Sequence, residues 1–187
     1  MVVNRMGKSG HTISKHGFQE MESNLWKMSK YQATIEVTIQ SNKNTNTYTC
    51  KQEYEKQGEK EVATQEILQP ENLKGFQIIR RGEQLEVRNT TFNLSKIYEK
   101  YDEMLKNDLW LDDFLADYQE SPNKEKLEEE NAIVFQIQKE DSPYQMKKKL
   151  YVSKETGKPQ KLVIEDKNQK NRVYILYKEI EIKTEEK

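Results

Sequence analysis

From Tyr31 to Gln40 apolar and polar side chains alternate without a fault. Tyr31, Ala33, Ile35, Val37 and Ile39 fall on one side, and Gln32, Thr34, Glu36, Thr38 and Gln40 on the other. A period of two with β-branched residues predicts a strand with one buried and one wet face. Ser41 to Asn46 supplies turn residues, and Tyr48, Cys50, Gln52 and Tyr54 resume the alternation. The two runs predict a hairpin whose inner face is interrupted at Gln52. Upstream the spacing is helical: Phe18, Met21, Leu25 and Met28 recur at three and four residues as one apolar stripe, with Trp26 at its margin.

A weaker strand from Val62 to Leu68 ends before Pro70, and Phe76 to Arg81, Gly82, then Leu85 to Arg88 predict a second hairpin. Between Leu94 and Tyr118 the period changes. Ile97, Tyr101, Met104, Leu105 and Leu109, then Leu111, Phe114, Leu115 and Tyr118, predict one or two helices broken near Asn107. Ser121-Pro122-Asn123 ends this part, and Lys124 to Glu130 reads as a charged connection. Strands then return: Ile133, Phe135 and Ile137; Met146, Leu150 and Val152; Leu162 and Ile164 after the turn Thr156-Gly157-Lys158-Pro159; and Val173 to Ile182 after Asp166-Lys167-Asn168.

Helix, strands, helices, strands, without regular alternation, is an α+β order. It predicts a curved antiparallel sheet of about nine strands, a half-barrel wrapping helices that cover one face. Residues 1–17 read as a polar N-terminal tail or a swapped segment, and 18–187 as a single domain, since no Gly/Ser-rich or Pro-rich linker divides them.

Hydrophobic and charged residues are equally frequent, 34% each of 187, so the core is thin for the length. The 31 basic and 32 acidic residues are interspersed, and the pI near 6.2 offers phosphates no basic face, which argues against a nucleic-acid partner. A mean hydropathy of -1.06 comes without any apolar run of the roughly 18 residues that a spanning helix needs.

Catalytic chemistry has few footholds. His11 and His16 both lie in the tail, five residues apart rather than the four of a helical zinc pair. Cys50 alternates with Tyr48 in a strand and reads as a small buried hydrophobe. Asp112 and Asp113 are adjacent, so they are expected to point in different directions, and Glu128 to Glu130 reads as a solvated run. Gly7 to Gly10 lacks the flanking pattern of a phosphate loop. No catalytic, cofactor-binding or metal-binding residue is assigned, no cofactor is implied, and partner-contact residues stay unassigned. Arg80-Arg81, near a hairpin tip, fits either a partner contact or a solvated turn.

The segment Tyr151-Val152-Ser153-Lys154-Glu155-Thr156-Gly157-Lys158-Pro159-Gln160-Lys161-Leu162 resembles the Tyr-Val-Asp…Thr-Gly-x-Pro-x-Lys-Leu hairpin of the LolA/LppX-like lipoprotein-carrier superfamily, with Ser153 in place of Asp. The opening helix and long strand, and the Leu111-x-x-Phe114-Leu115-x-x-Tyr118 helix, fit the same layout. Size and Lys/Glu/Asn-rich composition are most similar to its clostridial spore germination lipoproteins, the GerS group. That resemblance implies a non-enzymatic, extracytoplasmic protein held to the membrane by an N-terminal lipid, in the forespore intermembrane space. Its implied partner is a zinc-dependent, cortex-modifying N-acetylmuramoyl-L-alanine amidase of the CwlD kind, which it activates for germination.

Two functions are therefore expected to compete. A carrier would hold acyl chains between sheet and helices, which needs a continuous apolar cavity. The inner phase is interrupted by Gln52 and Lys148, which favours a module that fills the half-barrel with its own helices and offers strand edges or loops to a protein. The long last strand also suggests a homodimer.

Overall fold

A computed structural model describes residues 15–99, 109–139, 146–168 and 170–184, with side chains from Gly17 onward. The chain runs α1 (Lys15–Trp26), β1 (Met28–Gln40), β2 (Thr45–Gln57), β3 (Lys60–Gln69), a short 3-10 turn (Glu71–Leu73), β4 (Phe76–Arg81), β5 (Gln84–Asn89) and β6 (Leu94–Tyr98). It continues through α2 (Leu111–Glu120), β7 (Lys124–Glu128), β8 (Ala132–Gln138), β9 (Lys147–Ser153), β10 (Pro159–Glu165) and β11 (Arg172–Thr184). All eleven strands form one curved, unclosed antiparallel sheet in the order β6-β5-β4-β3-β2-β1-β11-β10-β9-β8-β7.

The sheet consists of two meanders joined where β1 pairs with β11 from Met28↔Thr184 to Gln40↔Arg172. The register places Tyr31, Ala33, Ile35 and Val37 beside Tyr54, Gln52, Cys50 and Tyr48 of β2, on one concave face. Burial follows that face: the inner residues from Tyr31 to Val37 are buried, and so are Ile137, Leu150, Val152, Leu162 and Ile175 of the other wing. Ile39 departs from the expected pattern: one residue from the end of β1, it is 37% exposed.

α2 lies in the concavity. Its capping residue Trp110 and its apolar residues Leu111, Phe114 and Leu115 are buried in the common core. Trp26 of α1 stacks on Tyr118 of α2 at 5.1 Å, and Phe135 of β8 meets both rings edge-on. Gly157, in the hairpin that carries the resemblance, has φ +63°, and the Met21 side chain of α1 occupies the space a Cβ would need, 2.5 Å away. Only glycine gives both the left-handed turn and that approach.

Three expectations are corrected. The sheet has eleven strands rather than about nine, because Leu94–Tyr98, expected to open a helix, is β6, and Lys124–Glu128, expected as a connection, is β7. Both are edge strands whose residues are almost all exposed, so neither carries the burial alternation that marks a strand in sequence. α1 ends at Trp26, and Met28 already belongs to β1. His11, Tyr101, Met104 and Leu105 lie outside the described residues.

Candidate functional site

The interior of the half-barrel is polar at its centre, and α2 is the reason. Asp112 and Asp113, in its first turn, both reach Arg80 of β4: Arg80 Nη1 donates to Asp113 Oδ2 at 2.6 Å and Nη2 donates to Asp112 Oδ2. One turn further on, Asp117 accepts from Lys148 Nζ of β9 at 2.8 Å and from Lys139 Nζ at 2.7 Å. The expectation that the adjacent aspartates point apart is thus corrected. A buried guanidinium with two donor ends gathers them both, which residue spacing on the helix does not reveal. Arg80 is neither a partner contact nor a solvated turn; it is buried on the inner face, with its guanidinium 5.4 Å from the Trp110 ring.

α2 is therefore a crossbar. Arg80 holds it to the β1–β6 wing and Lys148 holds it to the β7–β11 wing, with α2 across the gap. The second interruption of the inner face is satisfied in the same region. Gln52 Nε2 donates to Gln65 Oε1 at 2.9 Å and to the Leu109 carbonyl at 3.2 Å, while Tyr31 Oη donates to Gln52 Oε1 at 3.3 Å.

Burial sets the electrostatics. Desolvation raises the Asp112 carboxyl to about 7; Arg80 pulls it down and Asp113 pushes it up, and burial, the largest of these effects, prevails. Asp113 is raised for the same reason. Asp117 goes the other way: burial would raise it, and Lys148 and Lys139 outweigh that and hold it below the ordinary carboxylate range. Tyr31, Tyr54 and Tyr177 are all pushed upward, first by burial and then by the nearby Asp112. Cys50 is buried and raised to about 11 by desolvation, in keeping with a small hydrophobe rather than a thiolate nucleophile.

Elsewhere, a cleft of about 400 Å³ opens beside Pro159, where β10 stops and Tyr177 to Glu181 of β11 have no strand on that side; Lys158, Lys178, Glu179 and Glu181 line it. Among the described residues no group of three or more His, Cys, Asp or Glu is placed to hold a metal. No described helix is long and apolar enough to cross a membrane.

The two ends of the sheet differ in chemistry. β7 is Lys-Glu-Lys-Leu-Glu; its Lys126 bonds Glu22 of α1 at 2.7 Å and its Lys124 donates to the Gln119 carbonyl at 2.8 Å. β6 is Leu-Ser-Lys-Ile-Tyr, with Leu94 65% and Ile97 52% exposed and Phe92 71% exposed in the preceding turn. On the convex face behind β6, Arg81 and Arg88 share the one buried carboxylate of Glu86, at 3.0 and 2.8 Å.

No protein-family model and no curated protein matches the sequence. Members of the LolA/LppX-like superfamily are among the solved structures that this fold resembles. A DUF1329 family protein from Desulfovibrio piger superposes with a TM-score of 0.54 at 11% identity, over 92% of this chain and 94% of that one. The Pseudomonas aeruginosa MucA/MucB complex gives 0.50 at 8%, over 91% of this chain and 57% of that one. The CwlD amidase from Clostridioides difficile in complex with the GerS lipoprotein gives 0.49 at 19%, over 100% and 99%.

Proposed function

We propose that this chain is a non-catalytic protein-binding half-barrel, the partner and activator of a cortex-modifying N-acetylmuramoyl-L-alanine amidase, rather than a carrier of lipid. The observation that carries the choice of class is the occupied concavity. Where a carrier would keep a dry apolar cavity for acyl chains, Trp110, Leu111 and Phe114 fill the space, and Arg80, Asp112, Asp117, Lys148 and Gln52 run charge and hydrogen bonds through its middle. Threading an alkyl chain there would desolvate or break those pairs, at a cost of several kcal/mol each. The surface of the sheet is what remains for recognition.

A protein partner is supported by the MucA/MucB complex, which is built on the same fold. The choice of amidase follows from the hairpin at Tyr151 to Leu162 and the GerS-like size and composition. In this reading the chain is an extracytoplasmic lipoprotein, anchored by an N-terminal lipid in the forespore intermembrane space, and the zinc belongs to the amidase.

The test mixes the purified chain with a CwlD-type amidase and follows them by size-exclusion chromatography with light scattering. A co-eluting complex of fixed stoichiometry that hydrolyses peptidoglycan faster than the amidase alone is expected. Separate elution at micromolar concentration refutes the amidase partner. A stoichiometric acyl ligand recovered by solvent extraction refutes the class and restores the carrier.

A further inference from the structure

An open sheet edge presents a row of unpaired backbone donors and acceptors, and proteins normally blunt it with charge. β7 does so: four of its five residues are charged, and two of its lysines are tied back onto the helices. β6 does not. Of its five residues only Lys96 is charged, and it lies over the Tyr98 ring at 4.8 Å. Leu94 stands on the concave face beside Asn89, continuing a half-buried strip formed by Phe76, Ile78 and Val87. Ile97 stands on the convex face beside Glu86. Among the described residues, apolar surface is thus gathered on both faces of one unpaired strand.

From this contrast we infer that the open edge of β6 is a strand-addition site, which takes an extended segment of a protein partner whose apolar side chains alternate with acidic ones. The inference deepens the protein-binding reading above and rests on it. Backbone pairing to Leu94–Tyr98 supplies affinity, and side chains on alternate faces supply selection. The apolar side chains of the incoming strand, all on one of its faces, cover Leu94 on the concave side, and its acidic side chains fall on the convex side with Arg88. The preference for acid comes from the rim: Arg81 and Arg88, each 44% exposed, have one carboxylate between them, and Arg88 stands behind Ser95, whose short side chain leaves the guanidinium open. Basic side chains on the convex side of such a strand would instead set like charge against Arg81 and Arg88.

The probe is a short fluorescein-labelled peptide alternating Val and Glu, with a Val and Lys peptide as control, titrated against the full chain by fluorescence anisotropy. The Val and Glu peptide is expected to bind and to slow hydrogen exchange of the Leu94–Tyr98 amides. Leu94→Glu and Lys96→Glu together should weaken it at least about tenfold, whereas Leu127→Glu on the opposite edge should not. All three side chains are exposed, and unchanged near-UV circular dichroism confirms that the variants fold. Absence of binding to the unaltered chain, equal binding by the β6 variant, or equal loss in the β7 variant overturns the inference. Amidase co-elution is read separately. A chain that takes the peptide at β6 yet ignores the amidase refutes the amidase partner alone, and one that keeps the amidase after the β6 substitutions refutes the edge.

Discussion

The crossbar can be tested by removing either end of one ion pair, because the two removals predict different results. Lys148 Nζ lies 2.8 Å from Asp117 Oδ2, and the side chains are 1% and 22% exposed. At an effective dielectric near 20 the bare attraction across that distance is about 6 kcal/mol. Desolvating each ion costs several kcal/mol, so the intact pair adds little net stability. Asp117→Asn keeps the shape and removes the carboxylate that Lys148 donates to, so that the buried ammonium faces less anionic charge, that of Asp113 remaining. The other cation on Asp117, Lys139, is about one third exposed and turns to water. The expected loss is therefore about 3 kcal/mol, near the lower end for a broken buried pair. Lys148→Met removes the cation, and the more exposed Asp117 keeps Lys139 and water, so the loss should be under about 1 kcal/mol. Urea denaturation followed by tryptophan fluorescence reads both, since Trp110 is buried at the start of α2. Equal losses in the two variants would refute the reasoning, because the cost would then lie in helix packing and not in the anion lost from beside the buried ammonium.

Other outcomes follow from the same site. Since the folded Asp112 carboxyl sits near 7, above its ordinary 3.8, the folded state holds a proton that the unfolded state has released, and stability falls as pH rises from about 4 to about 7. Asp112→Asn should remove that fall, on the order of 4 kcal/mol, and an unchanged pH profile of the melting temperature would contradict it. Gly157→Ala should cost about 2 kcal/mol or more through the φ of +63° and the collision with Met21, whereas Gly58→Ala and Gly82→Ala, also at positive φ but with open space, should cost about 1 kcal/mol. Equal melting shifts in all three would remove Met21 from the account. Trp110→Ala should lose about 3 to 5 kcal/mol, and urea denaturation monitored by far-UV circular dichroism checks it.

Most of the strands were legible in the sequence, because a strand buried on one face must alternate. Tyr31–Gln40, the Phe76–Arg88 hairpin and the closing meander all announce themselves this way. Gln52 and Lys148 were visible as interruptions of an inner face for the same reason. β6 and β7 were not, since an edge strand that buries neither face is under no pressure to alternate. Leu94 and Ile97 even mimic helical spacing when taken together with Tyr101.

What the sequence determined by itself was the class of fold and the polarity of its inner face; both depend on side-chain periodicity, which is local. Tertiary structure decided which charges meet. Arg80 finds Asp112 and Asp113 more than thirty residues away, as Lys148 finds Asp117, because sheet curvature brings two wings to opposite sides of one helix. It also decided which strands lie at the ends of the sheet, and so which edge is left open. Neither outcome is written in any local pattern, because each depends on distances set only once β1 and β11 have joined the two halves.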